Sequence, residues 1–275
     1  MKKIDVHSHV GRLQHAYPEI TVPGLLRFMD EREIEKACVM AIENPEELDY
    51  YLTSNEVLAI CKQHPDRLIP FCNVDPRRGN PGEFDPYPIL AAYKEQGAKG
   101  LGEMLAGLWI DDPLQMDIYE ICQELELPVM LHIDKYRNMD DLGLPRLEKI
   151  LQTFPKASFI GHANHFWSEI SADMKDENRF DYPKGPVKPG GRMDELLQQY
   201  DNLFADLSAG SGYNALTRDR EFIREFLTRN QNQVLYGTDW LHEGQASRHH
   251  VALESSGVSE EVLEKICYTN AEGLL

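Results

Sequence analysis

A chain of 275 residues lies close to the roughly 250 that one eight-fold α/β barrel needs, and a single domain over 1–275 is the economical expectation. Its 28 basic against 46 acidic residues give a net charge of −18, a field that repels polyanions and argues against nucleic acid as a partner. Apolar residues make up 42%, yet no apolar run approaches the ~20 residues of a membrane span, so no membrane role is expected.

At the N-terminus Asp5, His7 and His9 break up what would have to be the apolar region of an export signal. The five cysteines, Cys38, Cys61, Cys72, Cys122 and Cys267, stand singly and form no CxxC pair. Buried free thiols in a reducing cytoplasm are therefore expected.

Along the chain, short β-branched or apolar runs alternate with longer segments of 3.6-residue periodicity, the pattern of a parallel sheet with crossover helices. Strands are expected at 4–9, 37–42, 68–74, 99–104, 128–133, 158–163, 203–208 and 234–239. Helices are expected between and after them at 22–32, 45–63, 88–96, 114–124, 144–153, 193–199, 220–229 and 260–272. Asn44-Pro45 and Ser259-Glu260-Glu261 supply helix starts, and Gly97 supplies a stop after Gln96. Eight of each predict an α/β fold, a (β/α)8 TIM barrel. One long connection, 164–192, holds a Pro/Gly-rich stretch and leaves the face on which barrel active sites sit.

Polar residues recur where strand ends should be apolar. Asp5, His7 and His9 alternate along the first strand and so share one face. Glu103 ends the fourth strand, His132 the fifth, His162 the sixth and Asp239 the eighth. Burying imidazoles and carboxylates together without a cation would cost a large desolvation energy. The set of His7, His9, Glu103, His132, His162 and Asp239 therefore predicts one or two divalent metal ions. Zinc comes first; manganese, iron and cobalt are the alternatives.

Substrate contacts are expected from the loops that follow the strands. They offer Arg12 after the first strand, Trp109 after the fourth, and Lys135, Tyr136 and Arg137 after the fifth. His165, Trp167 and Arg179 follow the sixth, Tyr213 and Arg218 the seventh, and Trp240 and His242 the eighth. Cations and aromatics in an acidic chain suggest a small-molecule substrate, carboxylated and possibly cyclic, such as a lactone, ester or amide.

These strand-end residues resemble the amidohydrolase superfamily, in its amidohydrolase-2 branch. The likeness runs through Asp5-Val6-His7-Ser8-His9, Pro128-Val129-Met130-Leu131-His132, Phe159-Ile160-Gly161-His162-Ala163-Asn164 and Tyr236-Gly237-Thr238-Asp239-Trp240, and reaches Thr269-Asn270-Ala271-Glu272-Gly273. The resemblance implies that His7, His9 and Asp239 bind a first metal, with His132 joining them or serving a second ion. It gives His162 one of two roles: acid/base in single-metal relatives, ligand in two-metal ones. Glu103 resembles the bridging glutamate of TatD-like nucleases. Lys99 stands four residues earlier, too deep for the carboxylated bridging lysine of other members.

A bound divalent ion would lower the pKa of its water and polarise the substrate, so hydrolysis is the expected reaction. Asp239 would accept the water's proton and pass it to the leaving group, and His162 would hold metal or steady the oxyanion. Asp239 and His162 are thus the catalytic candidates. The alternatives are a decarboxylase of the aminocarboxymuconate semialdehyde type, a TatD-like phosphodiesterase and a non-catalytic ligand-binding barrel. The resemblance also makes a homodimer a candidate assembly.

Overall fold

The structure, a computed structural model, describes residues 1–46, 51–80 and 82–275. Its strands are β1 Lys3–Ser8, β2 Ile34–Met40, β3 Leu68–Cys72, β4 Gly100–Met104, β5 Val129–His132, β6 Phe159–His162, β7 Leu203–Asp206 and β8 Val234–Leu235. The helices are α1 Val22–Asp30, α2 Ser54–Gln63, α3 Tyr87–Glu95, α4 Pro113–Glu124, α5 Pro145–Thr153, α6 Asn164–Ser168, α7 Arg192–Gln199, α8 Ala209–Arg218, α9 Arg220–Arg229, α10 His249–Glu254, α11 Glu260–Glu264 and α12 Asn270–Leu274. Neighbouring strands pair in parallel in the order β1 to β8. The ring is drawn shut where Val6 N–H donates to Tyr236 O at 3.0 Å and Asp239 N–H to His7 O at 2.9 Å. This is the (β/α)8 barrel that the alternation predicts.

Local chemistry starts the helices where the barrel needs them. Thr53 and Glu56 form a reciprocal capping box at α2, Thr21 caps α1, and Asp219 caps α9. The large core lies between the ring and the helices; it includes Leu25, Met29, Val39, Leu101, Ile118, Tyr119, Phe159, Leu196 and Phe226. A second cluster joins Ile4, Val6, Cys38, Met40, Phe71, Met130, Ile160 and Leu235. Side chains from six strands around the ring can meet only inside it, so this cluster plugs the barrel. Phe71 fills the space that Gly100 leaves: a Cβ there would lie 2.2 Å from its ring.

Several elements depart from expectation. The helix expected over 45–63 begins only at Ser54, after an antiparallel bridge between Ile42 and Leu52; its positions 47–50 lie outside the described residues. The connection 164–192 opens with α6 and is pinned by Asn164 Nδ2 donating to Phe180 O and the Ser168 hydroxyl donating to Arg179 O, both at 2.7 Å. α8 was not expected at all. The last expected helix divides into α11, a π-helical turn over Lys265–Thr269, and α12. The eighth strand stops at Leu235, four residues short of the expected 239.

All five cysteines are free and buried, and burial pushes the Cys61 and Cys72 thiols up to about 12. Among the described residues, no helix is long and apolar enough to cross a membrane.

Candidate metal centre

The barrel strands end by turning the chain, and the turns aim the site. Ala163, Ala209 and Asp239 carry φ values of 78°, 57° and 49°, the left-handed region in which a residue with a Cβ is strained. Each falls just past or at a site residue on β6, β7 or the segment after β8. The Asp239 turn is held by its own N–H on His7 O and by Asp5, whose carboxylate accepts Thr238 N–H at 3.0 Å and the Thr238 hydroxyl at 2.6 Å.

At the C-terminal face His7, His9, Glu103, His162 and Asp239 converge, all at most 8% exposed. Four donor atoms lie close together. Glu103 Oε2 lies 3.4 Å from His7 Nε2 and 3.5 Å from His9 Nε2. Asp239 Oδ1 lies 3.7 Å from His7 Nε2 and 3.4 Å from His9 Nε2. Ligands about 2.1 Å from a tetrahedral metal are roughly 3.4 Å apart, so these edges match a cation cage. Both imidazole Nε2 atoms, and His9 Nδ1, are buried without a hydrogen-bond partner. Orphaned buried polar atoms of this kind are costly unless something occupies the space between them.

Each carboxylate also presents its second oxygen to a second space. Glu103 Oε1 and Asp239 Oδ2 both lie 3.9 Å from His162 Nε2. Two three-ligand groups result, one of His7, His9 and Asp239 and one of His7, Glu103 and His162. The donor set suits a divalent cation, and both groups use His7.

Electrostatics point the same way. Burial alone would raise the Glu103 carboxyl, but the charges of His7 and His132 outweigh it and hold the group well below the usual range. Asp239 is likewise lowered against its burial, by the charge of His7 and by the neighbouring His9 ring. Burial disfavours charge on His7, yet Glu103 and Asp239 raise its pKa well above the ordinary value. Carboxylates held ionised among imidazoles pulled toward the cation mark a pocket that demands positive charge at its centre.

His132 belongs to neither group. Its Nδ1 is 2.5 Å from Glu103 Oε1 and its Nε2 is 3.2 Å from Asp134 Oδ2. Burial lowers its pKa and the two carboxylates more than reverse that, raising it to about 9. The structure therefore puts His132 beside Glu103 Oε1, with Asp134 behind it.

Behind the site lies a residue that sequence reasoning passed over. Asp206, fully buried at the end of β7, accepts from His7 Nδ1 at 2.8 Å and lies 3.0 Å from His162 Nδ1. Asp206 and Ser208 alternate at a strand end as His7 and His9 do, and that spacing was the signal that could have found them.

The expected substrate contacts divide. Trp167 and Trp240 are 3% and 5% exposed; the first donates Nε1–H to Asp206 O at 2.8 Å, and the second stacks on Phe28 with centroids 4.2 Å apart. Trp109 is exposed and lies under the Arg146 guanidinium. His165 is buried beside Glu169 and against the Phe180 ring. Arg137 pairs with Asp134 at 3.1 Å and Arg179 with Asp176 at 2.6 Å. Tyr213 meets His249 edge-on, and His242 stacks on Tyr17. Arg218, half-buried, ends α8. Arg12, Lys135 and Tyr136 remain exposed on loops above the strand ends.

The amidohydrolase family model Amidohydro_2 matches residues 4–275. No curated protein matches the chain. Among solved structures, an uncharacterised TIM-barrel protein from Bordetella bronchiseptica is similar with a TM-score of 0.69 and 13% identity, covering 100% of this chain and 98% of its own. A probable 2-pyrone-4,6-dicarboxylic acid hydrolase from Acinetobacter baumannii, solved with citric acid, follows at 0.65 and 16%, with 100% and 99% covered. A dihydroxybenzoic acid decarboxylase from Polaromonas sp. JS666, with bound manganese and 2-nitroresorcinol, gives 0.61 and 16%, with 99% and 96% covered. At these identities the likeness shows the fold; the family model, matched over nearly the whole chain, shows that the protein belongs to the amidohydrolases of the Amidohydro_2 family.

Proposed function

We propose that the protein is a metal-dependent hydrolase acting on a small carboxylated ester, lactone or amide. The observation that carries this reading is the division of two carboxylates across two ligand groups. Glu103 and Asp239 each turn one oxygen to His7 and His9 and the other to His162, an arrangement suited to two cations sharing bridging ligands. Such a centre supplies an activated water and a polarised carbonyl from one place. Zinc is the first candidate for it; manganese is the second, since a structural neighbour holds that ion.

The residues divide the remaining work. Asp239, held ionised by His7 and His9, takes the proton of the attacking water and returns it to the leaving oxygen or nitrogen. His162, facing both carboxylates, steadies charge that develops on the substrate oxygen. Arg12 and Lys135, exposed and making no ion pair among the described residues, are the cations available to a substrate carboxylate. The site needs no second subunit for these roles, though a homodimer is compatible with them.

The second reading, decarboxylation, is favoured by one specific feature. His132 lies between Glu103 and Asp134 rather than in a ligand group, so the site retains an imidazole available for proton transfer. A panel of carboxylated lactones, esters and amides, run beside aromatic carboxylates assayed for carbon dioxide release, separates the two. Hydrolysis that is abolished by chelation and restored by zinc or manganese is the expected result. Carbon dioxide release without hydrolysis overturns the first reading in favour of the second, and full metal loading with neither activity overturns both.

A further inference from the structure

We infer that Asp206 is a positioning residue: one carboxylate oxygen fixes both His7 and His162 in the tautomer that carries hydrogen on Nδ1 and turns both Nε2 lone pairs to the centre. The inference deepens the reading of the site as a cation centre and rests on it for its consequence, but the tautomers, read where both rings are neutral, do not depend on an ion.

The assignment follows from counting hydrogens. Asp206 Oδ2 lies 2.8 Å from His7 Nδ1, 3.0 Å from His162 Nδ1 and 2.5 Å from Ser208 Oγ. Two oxygens 2.5 Å apart must share a proton, and an ionised carboxylate has none to give. The single hydroxyl hydrogen of Ser208 is therefore spent on Asp206. That leaves Ser208 Oγ, 3.0 Å from His162 Nδ1 and 3.3 Å from His7 Nδ1, as an acceptor only. Each Nδ1 thus faces two acceptors and no donor, so each must supply its own hydrogen. In a neutral ring the lone pair then sits on Nε2, the atom that faces Glu103 and Asp239.

The carboxylate is itself immobilised. Its Oδ1 accepts Ser208 N–H at 2.9 Å, and its backbone carbonyl takes the Trp167 indole N–H. Gly237 leaves room for it, since a Cβ there would lie 2.1 Å from Oδ1. Carboxylates that hold the far nitrogen of a metal-ligating histidine tune affinity by orientation; here one carboxylate does so for two rings. Because His7 stands in the group with His9 and Asp239, and His162 in the group with Glu103, the loss of Asp206 disturbs both at once.

The substitution Asp206→Asn tests this, since the side-chain amide brings a donor to atoms that already carry hydrogen. The readouts are the imidazole tautomers, from nitrogen-15 spectra of metal-free protein at a pH at which both rings are neutral, and cadmium or cobalt affinity by titration. Wild type is expected to show Nδ1–H on His7 and His162. The Asn variant is expected to move at least one ring to Nε2–H and to bind the ion about 10–100-fold more weakly. Ser208→Ala, which leaves Asp206 in place, is expected to keep both tautomers and covers the case of an Asn variant that does not fold. Nε2–H on either ring in wild type, wild-type tautomers and affinity in the Asn variant, or a tautomer switch in Ser208→Ala each overturns the inference. Correct tautomers in a wild-type protein that binds neither ion would instead overturn the cation reading and leave the assignment of the rings standing.

Discussion

The substitution His7→Ala is expected to leave a folded barrel that holds no tightly bound cation and turns over no substrate. His7 appears in both ligand groups, and its Nε2 lies 3.4 Å from Glu103 and 3.7 Å from Asp239. The affinity loss should exceed the 10–100-fold that removing a supporting residue typically costs, because a ligand itself is gone. The variant should also be destabilised, since the Asp206 carboxylate loses one of the groups that hold it ionised against burial. Elemental analysis after dialysis, with circular dichroism to establish folding, reads the result. A folded variant that retains stoichiometric metal would remove His7 from the centre.

Asp239→Asn separates chemistry from binding. The amide keeps an oxygen where Oδ1 faces His7 and His9, so part of the metal should remain. It cannot accept the proton of the attacking water, and a positioned base of this kind contributes about 10²–10⁴-fold. The expected outcome is a fall in kcat of that size with KM little changed, measured on whichever ester, lactone or amide the wild-type protein cleaves. Near wild-type turnover would take proton transfer away from Asp239 and pass it to His132, which faces Glu103 and Asp134.

The barrel was legible because parallel strands buried on both faces read as short apolar runs between amphipathic helices. The strand ends were less so. β8 itself stops at Leu235, and the chain reaches Asp239 through a left-handed turn that no periodicity announces. α8 escaped notice because Gly210 and Gly212 weaken any helical signal over its first turn.

At the site, His7, His9, Glu103, His162 and Asp239 stood out because a barrel interior otherwise wants apolar side chains, and the structure brings these five together. His132 stood out for the same reason, but a sequence cannot say that both of its nitrogens face carboxylates. Asp206 and Ser208 carried the same positional signal. Aspartate and serine at a strand end also read as ordinary turn residues, and only the fold shows Asp206 sealed behind two imidazoles. The sequence does not tell the loop aromatics apart: Trp167 and Trp240 pack inward as readily as a substrate-facing indole would pack outward, and spacing after a strand does not set that direction.

In the proposed cation centre Glu103 bridges two ions. Metal content per chain, measured by elemental analysis on protein purified without chelators, tests it most directly when wild type and Glu103→Gln are compared side by side. Near two equivalents are expected in the wild type, falling toward one in the variant. One equivalent or fewer in both would contradict it, showing that Glu103 bridges nothing.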